Sequence, residues 1–190
     1  MNLKIIFFII IYTISLFASD DFKEVLPNSF IEELRVTYYN GVEDEKYIDS
    51  LQLLVKSYYS KNQNNIPTII LAYSAGIDAL KSKHAFWPFT KMSYLNSSMD
   101  LFKEVVNKDP NNLEIRFMRY SILHYVPGIL GYSAELKEDQ KVILSLLSRN
   151  EFQNVSDDLR NGIINFMIDS GRLTTAQISS LKLVQVSQIK

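Results

Sequence analysis

The sequence contains no cysteine. That excludes disulfides, thiolate metal ligands, a thiol nucleophile and an acylated N-terminal cysteine, so packing alone must hold the fold. Histidine occurs only at His84 and His124, 40 positions apart, too far for a local metal-ligand spacing. Neither sign of charge dominates: 20 basic residues stand against 21 acidic ones, a net charge of −1. That balance gives no electrostatic footprint for nucleic acid or for an anionic membrane, and neither is an expected partner. No glycine-rich phosphate loop is present, because Gly128 and Gly131 in GILGYS follow no strand. No cofactor and no metal are expected.

What is there begins with MNLKIIFFIIIYTISLFASDD, where Lys4 precedes an apolar run of 14 residues from Ile5 to Ala18. A helix crossing a bilayer needs about 20 predominantly apolar residues. The shorter run, its single leading charge and the small residues at Ala18 and Ser19 have the layout of a secretory signal peptide. Residues 1–18 are therefore expected to be removed. Residues 19–190 then form a single domain, exported to the periplasm or beyond the cell, not a lipoprotein, with no integral membrane span.

From Phe30 onward apolar residues return three and four apart, without the sustained alternation of a half-buried strand. The expectation is an all-α fold of seven or eight helices. Asn28, Ser29 and Glu32 suit a capping box for a helix over 30–39, with Asn40 and Gly41 stopping it. Further helices are expected over 44–60, 67–83, 90–108 and from Asn111 or Asn112 to Pro127, then over 134–147, 155–168 and 174–189. The last alternates well enough in SLKLVQVSQIK to be a strand instead. Along the third, Ala72, Ala75, Gly76 and Ala79 form a strip short enough for a neighbouring backbone to approach closely.

That small-residue helix, the following one ending in FKEVVNKDPNN and the helix straight after it resemble a tetratricopeptide repeat. Helix starts at Pro67 and Asn111 lie 44 residues apart, against about 34 in that family. The resemblance implies antiparallel helical hairpins stacked in a right-handed array, with a repeat-like core at about residues 67–150. KHAFWPFTKMSYL and EIRFMRYSILHYVPGILGYS also resemble segments of a family of uncharacterised exported bacterial proteins, a likeness over roughly residues 65–135 that implies no established activity.

Three stretches invite a chemical reading. TIILAYSAG approximates a nucleophile elbow around Ser74, but the parallel strands that such a turn needs are missing, and helix packing explains the same small residues. Arg116, Arg119, Tyr120, Leu123 and His124 share one arc of their helix. The arginines either pair with acids such as Asp78, Asp100 and Glu104 or face a groove and take a carboxylate or phosphate. HAFWPFTKMSYL contains the seven-residue loop that joins the third helix to the fourth, with Thr90 capping the next helix. Either Phe86, Trp87 and Phe89 fold back as a plug, or His84, Trp87 and Lys91 line one end of a groove walled by Arg116, Arg119 and Tyr120.

The resulting ligand-binding candidates are His84, Trp87, Lys91, Arg116, Arg119, Tyr120 and His124, with no catalytic residue among them. The expected function is noncatalytic: a helical-repeat surface binding a peptide or protein partner. The alternative is a small-molecule, anionic-ligand binding protein or an enzyme with its site near His84, Lys91, Arg116 and His124.

Overall fold

The computed structural model describes residues 26–62, 65–152 and 155–186. The expected signal peptide, residues 1–18, lies outside the described residues. Two compact units divide the chain, residues 1–32 and 33–190. Of the first, the described part is the entry to a helix, where the amides of Phe30 and Ile31 both donate to the Pro27 carbonyl at 3.0 and 3.2 Å. The second holds everything that follows.

The described residues form eight α-helices and no strand: α1 (Asn28–Glu43), α2 (Lys46–Lys61), α3 (Thr68–His84), α4 (Pro88–Lys108), α5 (Leu113–Tyr125), α6 (Ser133–Arg149), α7 (Asp157–Asp169) and α8 (Thr175–Val186). A single 3-10 turn, Gly128–Leu130, lies between α5 and α6. The helices pack in stacked pairs, as the sequence periodicity requires. The closest pairs are near neighbours in sequence, α3 with α4 and α5 with α6, while α8 packs on both α6 and α7, and α3 and α5 also touch.

Local chemistry sets the boundaries. Asn112 caps α5 by accepting from the Ile115 amide at 3.2 Å, and Ser156 caps α7 by accepting from Leu159 at 3.3 Å. The last segment is helical because Thr174 and Gln177 form a reciprocal capping box. The Gln177 amide donates to Thr174 Oγ1 at 3.3 Å and the Thr174 amide to Gln177 Oε1 at 2.9 Å. That pair settles a segment whose alternation left helix and strand open.

Three boundaries differ from expectation. α1 begins at Asn28, so Asn28 and Ser29 are its first residues and not a cap before it. α1 runs through Asn40 and Gly41 to Glu43. Gly41 serves a close approach there, since a Cβ on it would stand 2.9 Å from Leu80 Cδ1. α4 begins at Pro88, not near Thr90, because proline at the first helical position loses no hydrogen bond and already has helical φ. The expected seven-residue loop shrinks to three residues, 85–87.

The small-residue strip of α3 behaves as its side-chain sizes dictate. Ala72 and Ala75 are fully covered, and Gly76 is buried where a Cβ would meet the Tyr38 ring at 2.7 Å and Met118 Cε at 3.1 Å. Larger residues from both sides complete the core, with Ile70, Tyr73, Phe102, Ile115, Tyr120 and Ile143 among the fully buried side chains. Each buried aliphatic or aromatic side chain of this kind stabilises by roughly 1.5–3 kcal/mol relative to exposure.

The pairing has a directional consequence. His84 Nε2 meets the Gly41 carbonyl at 2.9 Å, which sets the end of α3 beside the end of α1. Arg172, in the α7–α8 turn, donates to His124 near the end of α5. Thr68 at the start of α3 donates to Asp109 at the end of α4, 3.1 Å away, and marks the opposite end. The turns α1–α2, α3–α4, α5–α6 and α7–α8 thus share one end of the array, and the α2–α3 and α4–α5 turns the other.

Candidate functional site

Arg116 and Arg119 lie one helical turn apart on α5 and are both buried, so each guanidinium must find partners within the protein. They find them on α6. Asp139, with no solvent exposure, accepts from Arg116 Nη1 at 2.8 Å and from Arg119 Nε and Nη2 at 2.7 and 2.8 Å. Glu138, whose outer face reaches solvent, accepts from Arg116 Nη1 at 2.9 Å, and Arg116 Nε donates to the Pro110 carbonyl at 2.7 Å. The hydrogen bond from Arg116 holds the Glu138 carboxyl below its usual range.

Of the acids expected as partners, Asp78 is engaged with Ser97 and Lys81 and Glu104 with Lys108, while Asp100 is exposed on α4. Both arginines are thus spent on a seam between α5 and α6. A second buried network crosses from α1 to α5. Arg35 forks onto Glu114 at 3.0 and 2.6 Å, and Tyr73 donates to the same carboxylate at 2.7 Å. Burial first, and the charge of Glu114 second, push the Tyr73 hydroxyl well above its ordinary value.

At the α3–α4 junction the balance reverses. Phe86, Trp87 and Phe89 are 83, 67 and 91 % exposed, so they plug nothing. The end of the hairpin is closed instead by polar contacts, with Ser82 Oγ donating to the Lys91 carbonyl at 2.8 Å and Lys91 Nζ to the Lys83 carbonyl at 2.8 Å. That ammonium caps the last carbonyls of α3, where its positive charge complements the negative end of the helix. The Phe86 and Trp87 rings meet edge to face, centroids 5.1 Å apart.

Beside them lies a cleft of about 290 Å³, open to solvent. Phe86 and Trp87 form part of its lining with Ile48, Ala85 and Tyr94, and Glu45, Lys81, His84 and Thr90 supply its polar groups. Lys81 sits over the Tyr94 ring, 5.6 Å from its centroid. Sequence reasoning found His84 and Trp87 but missed Glu45, Lys81 and Tyr94. The clue was present: EDE at 43–45 ends one hairpin's turn and HAFW at 84–87 makes the next, and stacking hairpins brings successive turns together.

Tyr120 and His124 belong to a third place. They ring Phe166 with Phe117 and Tyr125, at centroid distances of 6.1 and 5.5 Å for Tyr120 and His124. Tyr120 donates to Ser170 at 3.3 Å, and Arg172 Nε donates to His124 Nδ1 at 2.9 Å while its Nη2 reaches the His124 carbonyl at 3.1 Å. Burial, then the neighbouring Arg172 charge, hold the His124 imidazole below its usual value. The sequence candidates therefore divide: His84 and Trp87 share the cleft, Lys91 ties the junction, Arg116 and Arg119 form the seam, and Tyr120 and His124 pack against α7.

Ser74, the centre of the elbow-like stretch, lies in the middle of α3 and donates to the Ile70 carbonyl one turn back, at 3.1 Å. A serine there is on a regular helix, without a strained turn beneath it. Among the described residues no group of three or more histidines and carboxylates could hold a metal ion, and no helix is long and apolar enough to cross a membrane. No family model, curated protein or solved structure matches the chain.

Proposed function

We propose that the chain is an exported, noncatalytic interaction protein whose cleft at the α3–α4 junction receives a segment of a protein or peptide partner. One observation carries the reading: the lone tryptophan and an adjoining phenylalanine stand largely in water as one wall of an open cleft with polar groups around it. Aromatic anchors within a polar rim are the usual composition of a protein-binding surface, and their large rings dominate its energetics. The arginines that looked most like ligand-binding groups are already satisfied by Asp139 and Glu138, which argues against an anionic small-molecule site among them.

The test begins with recovery of partners from an envelope extract, compared between the wild-type protein, Trp87→Ala and Glu45→Lys. Support requires one protein retained by the wild type, lost by both variants, and represented by a synthetic peptide that binds directly. Truncating a central anchor should weaken that peptide by roughly thirtyfold, corresponding to about 2 kcal/mol. Equal recovery by all three proteins, with circular dichroism unchanged, would remove the cleft as the docking site.

A further inference from the structure

Beyond the cleft, the same end of the array carries a second surface. Of the nine large apolar side chains that are exposed among the described residues, five lie on two neighbouring turns: Phe86, Trp87 and Phe89 on one, Tyr125 and Ile129 on the other. Tyr125 and Ile129 are 76 and 93 % exposed. The second turn is tied to the helix that follows the first, because Tyr132 just past the 3-10 turn donates to Asn96, about two turns into α4, at 3.0 Å. Neither tip carries charge: residues 85–90 and 125–134 contain no Asp, Glu, Lys, Arg or His. The lysines flanking the first tip, Lys83 and Lys91, are bound at its base to the carbonyls of Val42 and Lys83.

We infer that these two turns form a lipid-docking surface, with Phe89 and Ile129 entering the boundary between headgroups and acyl chains. Trp and Tyr rings favour that boundary, since the flat apolar body is buried while the N–H or O–H stays among polar groups. Exposed apolar side chains on uncharged turns can be buried there without desolvating an ion. A folded protein partner would instead require a rim of available hydrogen-bonding groups around the anchors. The lysines at the base of the first turn are already committed to carbonyls. Phe86 and Trp87 border both surfaces, whereas Phe89, Tyr125 and Ile129 stand outside the cleft and its polar rim, so these three carry the lipid contact. With a net charge of −1 for the whole chain, attachment depends on apolar burial and hardly on salt.

The single tryptophan makes the inference directly readable. The full chain is mixed with phosphatidylcholine vesicles, and Trp87 emission is followed with lipids brominated along the acyl chain. The expected result is a blue shift, quenching by the bromines, loss of quenching by aqueous iodide, and persistence of all three in high salt. The double variant Phe89→Ser/Ile129→Ser should need roughly tenfold or more lipid for the same shift, since two apolar side chains no longer transfer. Unchanged emission with vesicles would overturn the inference, as would an unshifted lipid requirement for the double variant. Because neither substituted residue lines the cleft, partner recovery should survive the double substitution. Loss of partner recovery without any vesicle response would assign the tips to a protein and also overturn the inference.

Discussion

Between α5 and α6, two guanidiniums and a carboxylate are sealed from water, whereas a short distance along the same hairpin stack three aromatic rings project into it. Composition alone would place them the other way round. The difference teaches that neither charge nor apolarity marks a functional site by itself. What matters is whether the group has a partner within the chain. Arg116 and Arg119 have theirs on α6, while Phe86, Trp87 and Phe89 are left without cover by the folded chain.

The largest effect should come from breaking the seam. Asp139→Ala leaves two buried cations facing only Glu138, and should lower unfolding stability by roughly 3–5 kcal/mol in urea titration. Replacing the group together, as Arg116→Met/Arg119→Met/Asp139→Leu, should restore most of that loss, because apolar packing removes the desolvation penalty on all three. A triple variant as unstable as the single one would show that the pairing itself is indispensable.

Next comes the close approach at α3. Gly76→Val drives side-chain atoms toward the Tyr38 ring, already 2.7 Å from where a Cβ would stand, and should cost about 2 kcal/mol. The same measurement on Trp87→Ala should stay within about 0.5 kcal/mol of the parent, since the ring is mostly solvated and has little native packing to lose. A large loss there would contradict the contrast between seam and junction.

The smallest effect is acid sensitivity at the α5–α7 contact. His124 is held below its ordinary value of 6.5 in the folded state, so between the folded and unfolded values the unfolded chain binds the proton more readily. Stability from this group is present above 6.5 and declines as pH falls from there toward the lowered folded value. Glu138, held below 4.5, adds a second decline beneath that value. Denaturation midpoints across pH, with His124→Gln as comparison, check this: the variant should lose the decline that begins near 6.5 and keep the more acidic one.

Local rules made most of the helices legible. Asn112 capping α5, the Ala72–Ala79 face of α3 and the break at Pro110 all act within a few residues, so their consequences can be read from spacing. The partners of Arg116 and Arg119 could not be read in the same way. Asp78, Asp100 and Glu104 were plausible by charge, but the side of α5 that carries the arginines turns toward α6, and only the hairpin angle decides that. Thr90 looked like a cap because hydroxyls often are caps; Pro88 pre-empted it two residues earlier. The exposure of Phe86, Trp87 and Phe89 was hidden for a related reason. Large aromatic side chains are ordinarily covered, and whether a short junction is roofed over depends on segments remote in sequence.

Near-neighbour pairing also governs how the polypeptide comes apart. Because the two most extensive helix contacts join sequence neighbours, α3 with α4 and α5 with α6, ordering can begin with a single hairpin and spread stepwise, without first closing a long loop. Amide protons in α8, at the margin of the described array, should therefore exchange with deuterium before those of α3, which has packed helices on several sides. Under tension the chain should yield in successive hairpin-sized lengths rather than in one rupture.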